Sequence, residues 1–433
     1  MSPITVGIIG ILVLIGLLFT RMPVGFVMAL VGVLGFSYMV NFKAALNILG
    51  KDIFGTFGSY SFTVIPLFVL MGQIAFHSGV SRKLFDTAYT WFGHLRGGMA
   101  IATVWACAAF GAICGSTTAA AATMATVALN EMKRFGYERR IATGTVAAGG
   151  SLGILIPPSV IFIVYGIATE QSIGKLFLSG ILPGILLSGV WSITIWIWAK
   201  MRPEGAPTGS KSNWKERFKS LKGVWETLVL FFLVMGGLFA GFFTPTEAGA
   251  VGAGGALLLA LLRRSLSWEG FKKALTESTQ ISCMVLMIVA GAMVFGHFLA
   301  ITRVPYEVAE WASHLPLPRW GIMAFIILIY LIGGCFLDAL ALILLTIPIF
   351  YPVVTALGFD PLWFGVIIVL VTQMGVITPP VGVNVYVVGG IARDVPLEEI
   401  FKGALPFLIG LVITSLILIP FPKIALLLPS LVK

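Results

Sequence analysis

Two segments, Gly153-Ile-Leu-Ile-Pro157-Pro158 and Gly375-Val-Ile-Thr-Pro379-Pro380, each interrupt a long uncharged apolar run, and they stand 222 residues apart. The same register relates Gly136-Tyr137-Glu138 to Gly358-Phe359-Asp360, and Pro23 to Pro245. Past the double prolines it drifts by about two residues, pairing Gly166-Ile167-Ala168 with Gly390-Ile391-Ala392. Proline removes a backbone donor and glycine loosens the chain, so each segment breaks a helix. At membrane depth a broken helix persists only where the freed backbone groups are buried in protein or line a cavity. A duplication whose helices break at matching points is the pattern of a transporter built from two repeats.

Charged residues make up 11% of the chain and apolar ones 58%, against about 25% charged in an average soluble domain. Too few polar side chains remain to clothe a soluble core, so the chain reads as an all-α polytopic membrane protein. No basic segment precedes the first apolar run and Arg21 follows it, the wrong polarity for a cleaved signal peptide. Cys107, Cys114, Cys283 and Cys335 are scattered without a CxxC pair and read as small buried apolar residues. The net charge of +10 flanks the spans as positive-inside topology requires, which argues against a nucleic-acid partner.

The apolar runs predict spans at 4–20, 24–40 and 61–78, a hairpin at 97–132, a broken helix at 141–165 and a span at 176–199. A basic linker, 200–222, separates this first repeat (1–199) from a second (223–433). The second repeat has spans at 223–243, 246–262 and 278–300, a hairpin at 320–356, a broken helix at 362–388 and a last span at 403–421. The arm 119–130 is too short to cross a bilayer, so the hairpins read as re-entrant. Five crossings per half then invert the second repeat. With the linker in the cytoplasm, 21 of the 28 Lys and Arg residues fall on the cytoplasmic side and both termini lie outside.

Three places can carry chemistry. At the first hairpin tip, Gly115-Ser116-Thr117-Thr118 offers carbonyls and hydroxyls to a hard cation such as sodium, and helix N-terminal amides to an anion. In the breaks, Gly149-Gly150-Ser151-Leu152-Gly153 leads into Pro157-Pro158-Ser159, and Thr372-Gln373-Met374-Gly375 leads into Pro379-Pro380 and Asn384. Asp338, in register with Ser116 and preceded by Gly333-Gly334, is the only charge in the second hairpin. It can ligate a cation, carry a proton or cap a helix. Thr244-Pro245-Thr246-Glu247 reads as a capping box and hence as structural. Of the dispersed histidines, which lack metal-ligand spacing, His297 inside a span is the one worth testing, and packing is its expected role. Ser116 lacks a histidine partner for protease chemistry, and a channel has no need of a duplicated cradle.

The Gly-Ser-Thr-Thr tip, Gly-Gly-Ser-Leu-Gly-Ile-Leu-Ile-Pro-Pro-Ser, Phe-Thr-Pro-Thr-Glu-Ala-Gly-Ala-Val and Phe-Leu-Asp-Ala-Leu-Ala together resemble the large membrane subunit (M, or DctM type) of TRAP transporters, the tripartite ATP-independent periplasmic transporters. The likeness runs from Arg21-Met22-Pro23 to the last span. It implies sodium-driven import of organic acids, such as C4-dicarboxylates or sialic acid, across the bacterial inner membrane. It also implies delivery by a periplasmic binding protein, a small four-helix membrane partner (Q type) and an elevator mechanism. No four-helix extension precedes the first span, so the small subunit is expected as a separate chain. By the same likeness Gly115, Ser116, Thr118, Gly149, Gly150, Ser151 and Gly153 form one sodium site, and Gly334, Asp338, Thr372 and Gly375 a second. Ser116, Thr117, Pro157, Ser159, Asp338, Gln373, Pro379 and Asn384 are the expected substrate contacts. No arginine sits beside the tips, so an anion relies on helix N-termini, hydroxyls and amides. A stand-alone ion-coupled carboxylate carrier is the competing expectation.

Overall fold

The computed structural model describes the whole chain apart from Arg21, Ser210, Leu315 and Lys433, and apart from the side chain of Ser313. Two of the flanking bases counted above, Arg21 and Lys433, therefore lie outside the described residues. Among the described residues the secondary structure is helical, with no strand. Uncharged apolar runs have no other way to satisfy their backbone in lipid. Tyr60–His77, Ile173–Met201, Pro245–Leu262, Trp268–Thr302, Ala339–Ala356 and Leu397–Leu418 are each long and apolar enough to cross a membrane. Trp225–Phe239 joins them when taken with Trp214–Leu221, from which it bends by 58°. Pro3–Leu18, Val24–Met39, Gly98–Cys114, Arg319–Gly334 and Pro361–Val376 are shorter apolar helices.

Several boundaries differ from those read off the apolar runs. The second arm of the first hairpin is Thr117–Arg134, 18 residues rather than twelve or so, because the polar end Asn-Glu-Met-Lys-Arg continues the helix. Trp268–Thr302 starts ten residues before the expected span, capped by Ser267. Phe42–Gly58, Val80–Phe92, Val304–His314 and Lys423–Leu431 are helices with no long apolar run to reveal them. The linker is not wholly irregular. Trp214–Leu221 packs on Val80–Phe92, with Trp214 and Phe218 against Trp91 and the Arg217 guanidinium over Trp214. The capping box forms as read: Glu247 accepts from the Thr244 amide at 2.8 Å, and Thr244 Oγ1 from the Glu247 amide at 3.3 Å.

The helices sort into two packed groups. Val24–Met39 lies along Trp268–Thr302, with Gly25 against Gly291 and Gly32 against the Val294–Phe295 backbone. Val64–His77 and Pro245–Leu262 complete this group. The hairpins and broken helices form the second, enclosed by Ile173–Met201 and Leu397–Leu418. Here Trp191 donates to the Phe407 carbonyl (2.8 Å), Trp363 to that of Leu418 (3.0 Å), and Tyr165 to that of Pro361 (2.7 Å).

Within the second group each hairpin meets its own break backbone to backbone. A Cβ on Gly111 would sit 2.7 Å from Gly153 Cα, and one on Gly375 would collide with the Gly334 carbonyl. The outer arms cross over: Thr117–Arg134 packs on Val383–Ile391, and Ala339–Ala356 on Val160–Ala168. At the polar end of the group Lys133 Nζ lies 3.0 Å from Asp394 Oδ2, and Arg139 donates to the Asp394 carbonyl. The hydrogen bond from Lys133 holds the Asp394 carboxyl below the usual carboxylate range.

Gly375→Val should therefore lower the melting temperature of the purified protein, since overpacking of this kind costs about 1–3 kcal/mol. Gly390→Ala, at a helical glycine with open space around it, should melt at or above the wild-type temperature.

Candidate functional site

Both hairpin tips are built from helix-terminating chemistry. Helix Gly98–Cys114 stops because Gly115 takes a left-handed conformation (φ 59°) that costs glycine nothing. Ser116 then caps the next helix, its Oγ accepting from the Ala119 amide at 3.4 Å and lying 3.3 Å from Thr118 Oγ1. In the second hairpin, Arg319–Gly334 ends at Gly333-Gly334, and Asp338 caps Ala339–Ala356 by accepting from the Leu340 amide at 3.1 Å. Capping, one of the three roles open to Asp338, is thus in use, and the residue lines a cavity rather than the packed core.

The two tips line one cavity of about 920 Å³. Gly115, Ser116, Thr117 and Thr118 come from the first tip, and Asp338 to Ala341 from the second. Pro23 to Phe26, the stretch Ile281–Ile288, Val69 and Gln73 form the facing wall. Among the described lining residues the polar side chains beyond thiols are Gln73, Ser116, Thr117, Thr118 and Asp338, and none is basic.

The breaks stand behind the tips. Arg139–Gly150 continues into a 3₁₀ turn, Ser151–Ile154, then a cis Pro157-Pro158 bond, then Val160–Ala168. Pro361–Val376 passes through a cis Pro379-Pro380 bond into Val383–Ile391. A Cβ on Gly150 would press on Ala121, and one on Gly153 would lie 2.8 Å from the Ser116 carbonyl. Gly149 abuts Cys107, and Gly334 abuts Thr372 and Gly375. The two breaks touch where Ser151 Oγ lies 3.4 Å from Gln373 Oε1, a pair separated by 222 residues.

The expected substrate contacts therefore divide. Ser116, Thr117 and Asp338 face the cavity, whereas Pro157, Ser159, Gln373, Pro379 and Asn384 are not among its lining residues. Ser159 Oγ is buried and spent on its own turn, donating to the Ile154 carbonyl at 2.6 Å. Asn384 donates to the Ala147 carbonyl at 2.9 Å. Pro157 is buried and Pro379 exposed elsewhere. Thr372 donates to the Val369 carbonyl at 2.9 Å. Gln373 Nε2 and Asn384 Oδ1 stay buried without hydrogen-bond partners.

Sequence reasoning missed Gln73 and Cys283 in the lining. Gln73 is the one polar side chain between Thr63 and His77, a signal that was there to be used. Two cysteine expectations also change: Cys283 is exposed and Cys335 half-buried, whereas Cys107 and Cys114 are buried. His297 does more than pack, since its Nε2 lies 3.2 Å from Oδ2 of the buried Asp52.

Helices interrupted at matched positions around a single polar-tipped cavity define a polytopic membrane transporter. The family model described as "Tripartite ATP-independent periplasmic transporter, DctM component" matches residues 11–424. The chain belongs to this family, the large permeases of TRAP transporters. It is 38% identical over 384 residues to the C4-dicarboxylate TRAP transporter large permease protein DctM of Pseudomonas aeruginosa, covering 88% of this chain and 89% of that one. It is 34% identical over 418 residues to the sialic acid TRAP transporter large permease protein SiaM of Vibrio cholerae, covering 96% and 97%. Its fold resembles the crystal structure of the Alcanivorax borkumensis YdaH transporter, with a TM-score of 0.60 at 14% identity over 89% of this chain and 88% of that one.

A cavity of this volume has room for water and small hydrophilic reagents, which makes a simple demand on its thiols. A variant keeping Cys283 alone should react with a hydrophilic methanethiosulfonate, while one keeping Cys107 alone should not, as read by mass of the intact protein.

Proposed function

We propose that this permease imports an organic acid anion of the C4-dicarboxylate or sialic acid class, driven by a sodium gradient. The substrate arrives from a periplasmic binding protein, and a small four-helix membrane subunit completes the assembly in the bacterial inner membrane, with both termini periplasmic. The observation that carries this reading is the meeting of two capped hairpin tips in one cavity, each backed by a broken helix.

The chemistry follows from the atoms present. Ser116, Thr118 and the carbonyls stacked between Gly115 and Gly149–Gly153 supply hard oxygen donors, as sodium prefers. Asp338 with Gly334, Thr372 and Gly375 supplies the second set. The N-terminus of Thr117–Arg134 presents free amides, and the N-termini of both Thr117–Arg134 and Ala339–Ala356 present the positive ends of helix dipoles to an anion. Asp338 opposes that anion. At about 5 Å and an effective dielectric of about 20, an uncompensated carboxylate would repel it by about 3 kcal/mol, more than a hundredfold in affinity. A cation beside Asp338 cancels the repulsion, so sodium and substrate favour each other's binding by linkage. The touching of repeat-equivalent Ser151 and Gln373, and the crossed packing of the outer arms, support two halves related by an axis, the second inverted. The hairpins and breaks then move as one body against the group that includes Val24–Met39 and Trp268–Thr302.

Uptake of labelled succinate or sialic acid into proteoliposomes holding the permease and its four-helix partner should require both sodium and the binding protein. Sodium-driven uptake without the binding protein would make this a stand-alone carrier. Asp338→Asn and Ser116→Ala should each abolish sodium-dependent uptake while leaving the melting temperature within a few degrees of wild type. Normal uptake by both variants would remove these sodium sites.

A further inference from the structure

We infer that the linker helix Trp214–Leu221 is a membrane-surface anchor that binds the anionic headgroups of the leaflet on its own side of the bilayer. The inference is independent of the substrate, since it concerns the chain between the two repeats.

The helix carries two stripes. Trp214, Phe218 and Leu221 recur at i, i+4 and i+7, and Lys215, Lys219 and Lys222 recur one residue further on, so an apolar stripe runs beside a basic one. The apolar stripe has little protein cover. Trp91 meets Trp214 and Phe218 edge-on, yet those two rings stay 63% and 61% exposed and stack on each other at 6.3 Å. The helix also turns off the line of the span that follows it, by 58°. That span opens with Trp225 and continues with Val229, Phe232 and Leu233, each more than half exposed. The aromatic stripe is therefore continuous with an apolar face suited to lipid, at the end of a span where aromatic rings sit at headgroup level.

Charge selects the kind of lipid. Between 200 and 222 stand seven Lys and Arg residues and two acids. Of the acids, Glu216 is held by its capping box, accepting from the Asn213 amide at 2.9 Å. Arg202 pairs with Glu138 at 3.3 Å, and Arg217 lies 3.1 Å from His94 Nδ1. Lys211, Lys215, Lys219 and Lys222 are exposed and, among the described residues, make no ion pair. A basic stripe beside an aromatic one is the composition of a helix that lies in the interface. Each base near an anionic leaflet strengthens such attachment about fivefold, and the effect fades within a Debye length. The linker is tied in turn to the first repeat: Gly209 donates to the Gly93 carbonyl at 2.9 Å, Tyr137 to that of Pro207 at 2.9 Å, and the Glu138 amide to that of Gly205 at 2.8 Å. A headgroup contact at Trp214–Leu221 thus holds the base of the first hairpin to the bilayer surface.

The test uses the full-length permease in nanodiscs, with Cys283 and Cys335 replaced by serine and the buried Cys107 and Cys114 retained. Phe218→Cys and, separately, Trp214→Cys carry a nitroxide. Both positions are more than half exposed, and each variant keeps the other aromatic. Access of the nitroxide to a water-soluble nickel complex reads its depth. In phosphatidylcholine containing phosphatidylglycerol, nickel access should be about tenfold lower than in phosphatidylcholine alone, and raised salt should restore it. Adding Lys215→Gln, Lys219→Gln and Lys222→Gln should restore it as well, with the melting temperature unchanged. High access at both labels, unaffected by phosphatidylglycerol, overturns the inference. Low access in phosphatidylcholine alone also overturns it, since the contact would then be apolar and blind to the headgroup. Access that falls only when the four-helix partner is added does the same, because the face would then be a protein interface.

Discussion

The contact on which the structure depends is that of each hairpin with the break of its own repeat. A helix ended inside an apolar interior leaves donors and acceptors that no lipid can satisfy. Here two such ends are placed together, so that polar backbone faces polar backbone. Gly111 on Gly153 and Gly334 on Gly375 make this approach possible, because a single Cβ at either place would push the two apart. The geometry of the cavity follows. With the breaks held behind them, the tips project forward into one space, and Ser116 and Asp338 come to line the same wall.

That wall has an unusual electrostatic character for the organic-anion permease proposed above. Among the described lining residues its one formal charge is negative, at Asp338. Asp338 also caps Ala339–Ala356, so it sits where a substrate carboxylate would gain most from the helix dipole. The two demands conflict until a cation arrives. In the function proposed above, placing a charge of the wrong sign at the best anion position would make cation binding a condition for substrate binding, which is what coupled transport requires. An arginine at the same place would bind the anion more tightly and abolish that condition.

The parts of this arrangement that were legible in the sequence were those in which one residue type has one use. Proline pairs in apolar runs, Gly-Ser-Thr-Thr and Thr-Pro-Thr-Glu each permit few backbone conformations, and their positions followed directly. Helices lacking a long apolar run, such as Phe42–Gly58 and Val80–Phe92, were not legible, because an apolar window is blind to a helix that is wet on one face. The same ambiguity affected the site. A polar side chain near a break can face a cavity or satisfy the freed backbone, and spacing does not distinguish the two. Ser159 and Asn384 took the second course, closing on the Ile154 and Ala147 carbonyls. Gln73 took neither expected course. It sits on an unbroken helix of the opposite group, and only the fold brings that helix to the tips.

The composition of the boundary between the two groups bears on the movement proposed for the hairpins. Gly72 meets Cys114 there, and Ala75 and Ala112 line the same small space nearby. Interdigitated large side chains resist sliding because each must leave one groove before entering the next. Small side chains make shallow ridges, so a helix faced with them can translate past its neighbour with little loss of contact along the way. The facing group is held by closer means: Gly25 on Gly291 and Gly32 on the Val294–Phe295 backbone lock Val24–Met39 to Trp268–Thr302. Tight backbone contacts within each group, and small side chains at the Gly72–Cys114 contact between them, suit the movement proposed above, with the cavity lined by both groups.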